Sequence, residues 1–256
     1  MAISKNQIKF IRQLEQKKFR RREGLFVAEG TKVVGDLLAH YQPHSIFATP
    51  DWLAEHPTVP KTFPEPAEGS IVTEVTPDEL SRISFQQHPQ QVLALFPIPT
   101  HSSLFTIHSS LSLALDGIQD PGNLGTIIRI ADWFGIETIF CSEDTVDAWN
   151  PKVVQATMGS IARVNIIYIS LAKLIDSLPA DYPVYGTLLD GDNIYTQTLT
   201  PHGLIVMGNE GNGISPEIRQ KVNHRLLIPS YRTDDTAESL NVAIATAITC
   251  AEFRRR

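Results

Sequence analysis

Residues 204–215 of this 256-residue chain read LIVMGNEGNGIS, and residues 226–242 read LLIPSYRTDDTAESLNV. Each stretch begins as an apolar run typical of a buried strand and then passes into a polar loop, and the second loop leads into an Ala-rich helix. In open α/β folds, loops that follow parallel strands meet at one sheet edge, where nucleotide-like ligands bind. The two stretches therefore predict an α/β fold with a small-molecule pocket at the carboxyl edge of its sheet.

The rest of the chain supports an α/β fold in two parts. From residue 111 onward, strand-like and helix-like segments alternate, which indicates a parallel sheet covered on both faces; pattern alone favours a doubly wound, Rossmann-like strand order. Residues 1–97 form a smaller α/β unit that opens with a predicted amphipathic helix over residues 3–18. Residues 98–110 are rich in Pro, Ser, His and Thr and are interpreted as a linker, so we expect the second domain to span 111–256.

A third stretch, residues 113–129 (LALDGIQDPGNLGTIIR), makes the pattern specific. Together the three stretches resemble, in order and near-family spacing, the signatures of the SpoU (TrmH-like) RNA 2′-O-ribose methyltransferases. The matching positions are Asn123-x-Gly125-x-x-x-Arg129, then Gly208, Glu210, Gly213 and Ser215, and finally Ile228-Pro229 with Glu238-Ser239-Leu240-Asn241-Val242. The resemblance covers about residues 110–253, and the preceding stretch resembles the substrate-binding domain that some members carry. One departure is residues 230–237, SYRTDDTA, where the family has a shorter link that contains Gly.

The resemblance implies a specific fold, cofactor and set of partners. It implies a C-terminal parallel sheet with a deep trefoil knot, the SPOUT fold, preceded by a smaller α/β N-terminal domain. It also implies S-adenosyl-L-methionine as cofactor, ribosomal or transfer RNA as substrate, and a homodimer. The implied reaction is methylation of a ribose 2′-oxygen. No periodicity in a sequence encodes a knot, so that expectation rests on the resemblance alone.

The resemblance also implies a set of catalytic residues, each of which has a purely structural alternative. Arg129 could simply pair with Asp132 along one helix, and Glu210 could be an exposed acid in a turn. Asn123 and Ser239 are both suitable N-cap residues, the latter for a helix beginning at Leu240. By family position, the residues expected to act on the target ribose are Arg129, Asn123, Glu210, Ser239 and Asn241. A ribose hydroxyl needs its proton removed or its negative charge stabilised, and the sequence leaves open which of these Arg129 does.

Cofactor-binding residues are expected in the loops after the two quoted strands. The GNEGNG loop has the wrong glycine spacing for a dinucleotide fingerprint, and the chain has no phosphate-binding GxxxxGK[ST] sequence. A glycine loop without Lys or Arg suits the cationic sulfonium of S-adenosylmethionine better than a pyrophosphate. By family position, the resemblance implies that Gly208, Ile228 and Leu240 bind the cofactor through their backbones, and we expect Met207 and Pro229 to line the same pocket. Permissive turns and ordinary core packing are the alternatives.

Composition argues against a membrane-spanning protein and a metal site, and it indicates where RNA could bind. No apolar run is long enough to span a membrane, and no cluster of His, Cys and acidic residues has metal-ligand spacing. Cys141 and Cys250 read as buried, reduced residues, which favours the cytoplasm. The net charge is −6, yet residues 1–22 hold eight basic residues and one acid, a net +7 that leaves −13 elsewhere. This end of the molecule would attract a polyanion such as RNA, although a solvated basic helix is the alternative.

The sequence leaves three functions to compare. A methyltransferase agrees with all the motifs. A non-catalytic RNA-binding or cofactor-sensing protein on the same fold is the main alternative. The presence of the whole set of expected catalytic residues argues against it: Asn123, Arg129, Glu210, Ser239 and Asn241. A nicotinamide-dependent oxidoreductase would fit the α/β pattern but lacks the dinucleotide fingerprint. The target nucleotide cannot be read from the sequence, because RNA enzymes recognise it through loop shape and splayed bases.

Overall fold

The computed structural model describes residues 3–57, 59, 62–63, 70–99, 110–232 and 239–255. The described residues form two compact units. The first takes the residues before position 100 together with Asp147–Ala162, and the second takes residues 110–146 and those from Arg163 onward. Most of the expected linker 98–110 and of the 230–237 loop, together with Glu238, lies outside the described residues.

The first unit contains a five-stranded mixed sheet in the order β1-β5-β2-β4-β3. Its strands are β1 (Leu25–Glu29), β2 (Ser45–Ala48), β3 (Thr62–Phe63), β4 (Ser70–Glu74) and β5 (Val92–Pro97). Its helices, numbered along the whole chain, are α1 (Lys5–Gln13), α2 (Lys17–Glu23), α3 (Thr31–Leu38), α4 (Pro50–Glu55), α5 (Pro77–Ile83) and α7 (Pro151–Ala156). The edge strand β1 pairs antiparallel with β5, and both strands are almost completely buried, so they contribute much of the core of this unit.

The opening helix differs from the prediction. The sequence predicts one amphipathic helix over residues 3–18, whereas the structure has two short helices, α1 and α2. Arg20 explains the break, because its Nη1 donates to the carbonyl oxygens of Leu14 (2.8 Å) and Glu15 (2.6 Å). The Arg20 side chain is only 2% exposed and pairs with Asp147. This arginine therefore serves packing, which a count of charges does not reveal.

The second unit contains a six-stranded, all-parallel sheet in the order β11-β9-β10-β6-β7-β8. Its strands are β6 (Leu111–Asp116), β7 (Thr138–Cys141), β8 (Asn165–Tyr168), β9 (Val184–Asn193), β10 (Gly203–Gly208) and β11 (His224–Leu227). Its helices are α6 (Pro121–Trp133), α8 (Leu171–Asp176), α9 (Pro216–Lys221) and α10 (Val242–Arg255). The parallel sheet confirms the predicted fold class, and β6 and β10 are buried along nearly their whole length.

The strand order differs from the Rossmann-like order that the pattern alone favours. A doubly wound sheet would place β9 beside β6, but here β10 lies between β6 and β9, and β11 pairs with the far side of β9. The register aligns Gly208 of β10 with Asp116 of β6. The carboxyl ends of these two central strands therefore lie side by side, and the loops that carry two of the three motifs leave the sheet there.

The two cysteines match their predicted environments. Cys141 and Cys250 are both free and buried. Burial raises the pKa of both thiols, and that of Cys250 reaches about 12. Among the described residues, no helix combines the length and the hydropathy needed to cross a membrane.

Candidate active site

The glycine loop after β10 is held by its own hydrogen bonds. The backbones of Asn209 and Gly213 pair in both directions, each N–H donating to the other's carbonyl oxygen over 2.9 Å. Asn209 Oδ1 also accepts from the backbone N–H groups of Gly211 (2.9 Å) and Asn212 (3.1 Å). These hydrogen bonds within the loop stabilise its conformation without help from other parts of the chain.

Two glycines of this loop are required for different reasons. A Cβ on Gly208 would lie 2.7 Å from the carbonyl oxygen of Gly213, and closer still to the backbone atoms of Gly213 and Ile214. Gly213 itself has a φ of +67°, in the left-handed region that favours glycine. Gly211 has neither constraint, since the nearest atom to its added Cβ is the flexible Asn209 Oδ1 at 3.6 Å. The close return of the chain over Gly208 therefore explains that glycine.

The side chains of Asp116 and Asn209, which the sequence analysis did not single out, connect this loop to the end of β6. The Ser215 N–H donates to Asp116 Oδ2 over 2.7 Å, and Asn209 Nδ2 donates to the Gly117 carbonyl oxygen over 2.6 Å. Asp116 is 8% exposed although it carries a carboxylate. A signal was present in the sequence, because Asp116 ends an otherwise apolar strand at the predicted ligand edge.

Helix α6 begins earlier than the N-cap interpretation of Asn123 requires. Asp120 is the N-cap, its Oδ1 accepts from the Asn123 backbone N–H over 2.7 Å, and Pro121 occupies the first turn. The capping interpretation of Asn123 is therefore wrong. Because Asp120 takes the capping role, the side chain of Asn123 is available for other contacts.

Helix α10 likewise begins later than expected. Its first residue is Val242, and Asn241 caps it: Asn241 Oδ1 accepts from the N–H groups of Ala243 (2.9 Å) and Ile244 (3.3 Å). Ser239 is exposed and lies two residues before this cap, so its predicted capping role at a helix starting at Leu240 is wrong. Asn and Ser have similar N-cap preferences, so the position at which the helix begins selects Asn241.

The side chains of Asn241, Asn123 and Glu210 form one hydrogen-bonded chain. Asn241 Nδ2 donates to Asn123 Oδ1 over 2.9 Å, and Asn123 Nδ2 donates to Glu210 Oε1 over 2.9 Å. Its direction follows from the helix, because Asn241 Oδ1 faces backbone N–H groups that can only donate. Each amide must then donate onward, and the chain ends on the carboxylate of Glu210. One residue from each of the three motifs thus meets at a single point.

Arg129 lies on the same helix as Asn123 but outside this chain. Its side chain is exposed, and no hydrogen bond joins it to any described residue. Asp132, its suggested ion-pair partner, instead receives both Nε and Nη2 of Arg163, the latter over 2.7 Å. The structural alternative for Arg129 therefore loses its proposed partner.

Two stretches of the chain match models of known protein families. Residues 110–251 match the SpoU rRNA Methylase family, and residues 5–94 match the MRM3-like substrate binding domain. The chain belongs to the SpoU rRNA methylase family. The first match covers all three motifs and the hydrogen-bonded chain that joins them.

Relatives of this SpoU protein match along its whole length. The 23S rRNA (guanosine(2553)-2′-O)-methyltransferase RlmP of Bacillus subtilis is 31% identical over 255 residues, which is 98% of this chain and 97% of the relative. A solved TrmH-family structure from Porphyromonas gingivalis is 39% identical, with a TM-score of 0.88, and covers 100% of this chain and 99% of its own. An AdoMet-bound rRNA methyltransferase from Sinorhizobium meliloti is 32% identical, with a TM-score of 0.86 and coverages of 100% and 96%.

The residues expected to bind the cofactor of a SpoU enzyme surround the same sheet edge with varied exposure. Met207 is 1% exposed and belongs to the core, where its sulfur accepts from Thr187 Oγ1. Ile228 and Pro229 are half-buried, and Leu240 is 51% exposed. Apolar side chains left partly open beside backbone-rich loops fit an adenosine, which needs apolar contact and backbone hydrogen bonds.

The charge of the site is also compatible with a sulfonium. The loop of residues 208–215 contains no Lys or Arg, and Glu210 supplies a carboxylate near it. A cation is stabilised in such surroundings, whereas a pyrophosphate would find no positive partner in this loop. Within the described ranges, no group of three or more His, Cys, Asp and Glu side chains could hold a metal ion.

Proposed function

We propose that this SpoU protein transfers the methyl group of S-adenosyl-L-methionine to a ribose 2′-oxygen in ribosomal or transfer RNA. The observation that carries the proposal is the hydrogen-bonded chain of Asn241, Asn123 and Glu210, which gathers all three motifs at one sheet edge. The relatives support it: one is a 23S rRNA guanosine 2′-O-methyltransferase, and another is an rRNA methyltransferase with AdoMet bound.

The cofactor is proposed to lie against the loops that follow β10 and β11. Backbone groups of Gly208, Ile228 and Leu240 would hold its adenosine, with Met207 and Pro229 as apolar neighbours. When bound, the cofactor supplies an electrophilic methyl group on a positively charged sulfur. The fixed shape of the glycine loop favours this role, because a preformed pocket loses little conformational entropy on binding.

Arg129 is proposed to hold the target ribose and its phosphate. A guanidinium stays protonated near neutral pH, so it stabilises the negative charge that develops on the 2′-oxygen more readily than it removes the proton. The exposure of Arg129 leaves its side chain available for RNA. Ser239 and Asn241 are proposed to contact the substrate or cofactor beside it, and Glu210 to orient the groups around them. Catalysis then rests mainly on positioning the two reactants.

The two parts of the chain are proposed to divide the work. Residues 1–97 would bind substrate RNA, 98–110 would link the parts, and 111–256 would carry methyl transfer. The match to a substrate-binding domain over 5–94 supports the first assignment. We further propose that 111–256 contains the trefoil knot of the family; placement of β10 between β6 and β9, out of chain order, favours such threading. Cytoplasmic location is proposed from the RNA substrate and the free, buried cysteines.

A homodimer is proposed to form through α6 and α10. The two helices pack together, and Arg254 joins their ends by donating to the carbonyl oxygens of Phe134 (2.8 Å) and Gly135 (3.0 Å). On the same pair of helices, Trp133 is 86% exposed and Ile244 is 52% exposed. Large apolar side chains open to water on adjacent helices favour contact with a second copy.

The proposed function can be tested by measuring methyl transfer to RNA directly. Purified protein, labelled S-adenosylmethionine and total RNA from cells lacking the gene should give label at a ribose 2′-oxygen, and mapping should locate one modified position that is absent in those cells. Binding of S-adenosylhomocysteine and RNA without any transfer would instead identify a non-catalytic binding protein. Binding of NAD in place of S-adenosylhomocysteine would identify an oxidoreductase.

A further inference from the structure

Helix α2 presents three exposed cations, and two of them lie against a half-buried aromatic ring. Lys18, Arg21 and Arg22 are exposed and stand at helical positions i, i+3 and i+4, so they share a face. The Phe19 ring lies against two of them: Lys18 Nζ is 5.0 Å and Arg22 Cζ is 4.8 Å from its centroid. Both distances are within the range of a cation–π contact. Arg22 is also held by Glu23, whose Oε1 lies 2.6 Å from Arg22 Nη2.

A neighbouring arginine keeps this face in place. Arg20 points inward from the same helix, where it bonds to the carbonyl oxygens of Leu14 and Glu15 and to the carboxylate of Asp147. Its burial fixes the orientation of α2, so the opposite face stays turned to solvent. The basic residues of α2 therefore differ in role: Arg20 serves the fold, and the exposed face has no such explanation.

We propose that Phe19 with Lys18, Arg21 and Arg22 is a contact surface for an unpaired segment of RNA. This inference rests on the proposed function, which supplies RNA as the substrate. Cationic side chains bind phosphates, and the face of an aromatic ring or a guanidinium plane stacks on an unpaired base. The charge of the chain is complementary to this partner, since residues 1–22 carry +7 and the remainder −13.

A helix dipole explains only part of this arrangement. Arginines in the last turn of α2 are favoured by the partial negative charge at a helix C-terminus. That effect acts on charge alone and gives no reason for a partly open phenylalanine among the cations. A base that stacks on the part of the Phe19 ring left open by Lys18 and Arg22 would remove that apolar surface from water.

The aromatic face of Phe19 and the positive charges beside it can be tested separately by binding measurements on the whole 256-residue chain. The probes are a single-stranded oligoribonucleotide and a duplex of the same sequence. Phe19→Leu removes the π face, Phe19→Tyr keeps it, and Arg22→Gln removes one charge. Lys173→Gln removes one exposed charge from α8 and serves as the matched control.

The inference predicts a distinct result for each variant. Phe19→Leu should weaken single-strand binding on the order of tenfold, with little effect on the duplex and no change in salt dependence, and Phe19→Tyr should restore it. Arg22→Gln should lower the slope of log affinity against log salt by roughly 0.7, as expected for one lost phosphate contact. Lys173→Gln should leave both affinity and slope unchanged.

Several outcomes would overturn the inference. Unaltered single-strand affinity in Phe19→Leu would remove the stacking role, as would an equal loss on the duplex. If Arg22→Gln and the wild type had equal slopes of log affinity against log salt, Arg22 would make no phosphate contact. Because Arg22 is exposed, this test stays valid even if Phe19→Leu does not fold. Binding to vesicles of phosphatidylglycerol that the same variants abolish, with RNA binding intact, would assign the surface to a membrane.

Methyl transfer separates this inference from the proposed function. At saturating RNA, Phe19→Leu should keep its kcat and raise only its KM for RNA, because the residue contacts substrate away from the reacting atoms. If the wild type transfers no methyl group while Phe19→Leu still loses single-strand affinity, the proposed reaction fails and the RNA surface stands. If transfer proceeds and the variant keeps its affinity and its KM, the surface fails and the reaction stands.

Discussion

The side-chain amide of Asn123 donates to Glu210 Oε1 over 2.9 Å, which joins the first motif to the glycine loop 87 positions away. Asn241 sets the direction of this bond, because its own oxygen is occupied by the N–H groups that open α10. The start of one helix thus determines which atom of an asparagine on another helix faces a carboxylate. This dependence can be tested by changing the cap without removing it.

Asn241→Asp should separate the two roles of this residue. Aspartate still accepts from the N–H groups of Ala243 and Ile244, so the free energy of unfolding should change by less than about 0.5 kcal/mol. It cannot donate to Asn123 Oδ1, and we expect kcat for methyl transfer to fall at least roughly tenfold. Asn241→Ala should in addition lose about 1 kcal/mol of stability in denaturant titrations. Wild-type turnover in Asn241→Asp would show that the amide chain is not needed.

Arg129→Ala should abolish methyl transfer and leave the affinity for the cofactor unchanged. We expect kcat to fall by about 10²-fold or more, since the guanidinium is proposed to stabilise charge in the transition state. The affinity for S-adenosylhomocysteine, measured by calorimetry, should stay close to that of the wild type. Arg163→Ala removes an equal charge from a surface pair with Asp132 and is the control; its turnover should be nearly normal. Full turnover in Arg129→Ala would remove that residue from the mechanism.

Gly208→Ala and Gly211→Ala should differ although both lie in one loop. At Gly208 the added methyl group meets the backbone of Gly213 and Ile214, so the loop must move. At Gly211 the nearest atom is 3.6 Å away on a side chain. We expect Gly208→Ala to weaken S-adenosylhomocysteine binding at least roughly tenfold, and Gly211→Ala to change it less than about twofold. Equal effects of the two substitutions would mean that the close approach at Gly208 does not shape the cofactor site.

The sequence predicted the elements and motifs better than the details of their ends. Strand runs such as 111–116 and 203–208 are apolar because a parallel sheet is buried on both faces, so their pattern is clear. The cap residues were misassigned at Asn123 and Ser239, because several neighbouring polar side chains can each cap a helix. Asp120 and Asn241 take these roles once the chain is folded.

The strand order and the contacts between residues distant in the sequence could not be predicted, for a different reason. The insertion of β10 between β6 and β9 leaves no trace in periodicity, since every strand of the sheet has the same apolar pattern. In the sequence, Arg20 does not differ from the other basic residues of its helix, and its burial is explained by its distant partner Asp147. The anchoring of the glycine loop by Asp116 likewise depends on which strands become neighbours.

The two thiols should be unreactive in the native protein at pH 8. Burial raises the pKa of Cys250 to about 12 and raises that of Cys141 as well, so almost all of both thiols stay protonated. We expect iodoacetamide to modify neither cysteine under native conditions and both after denaturation, as counted by intact mass. Reactivity should rise only as the pH approaches 12 or the protein unfolds. Rapid modification of the native protein at pH 8 would contradict the burial of these residues.

Trp133→Glu should convert the proposed homodimer into a monomer. The indole is 86% exposed in one chain, so the substitution costs little in the fold itself, whereas a carboxylate buried without a partner would destabilise the interface of two copies. Light scattering coupled to size-exclusion chromatography measures the mass directly. Leu189→Glu is the matched control, because Leu189 is 74% exposed in the same unit but belongs to β9 and not to α6 or α10. A dimeric Trp133→Glu variant, or a monomeric wild type, would rule out this interface, because both helices would then face water in the active protein.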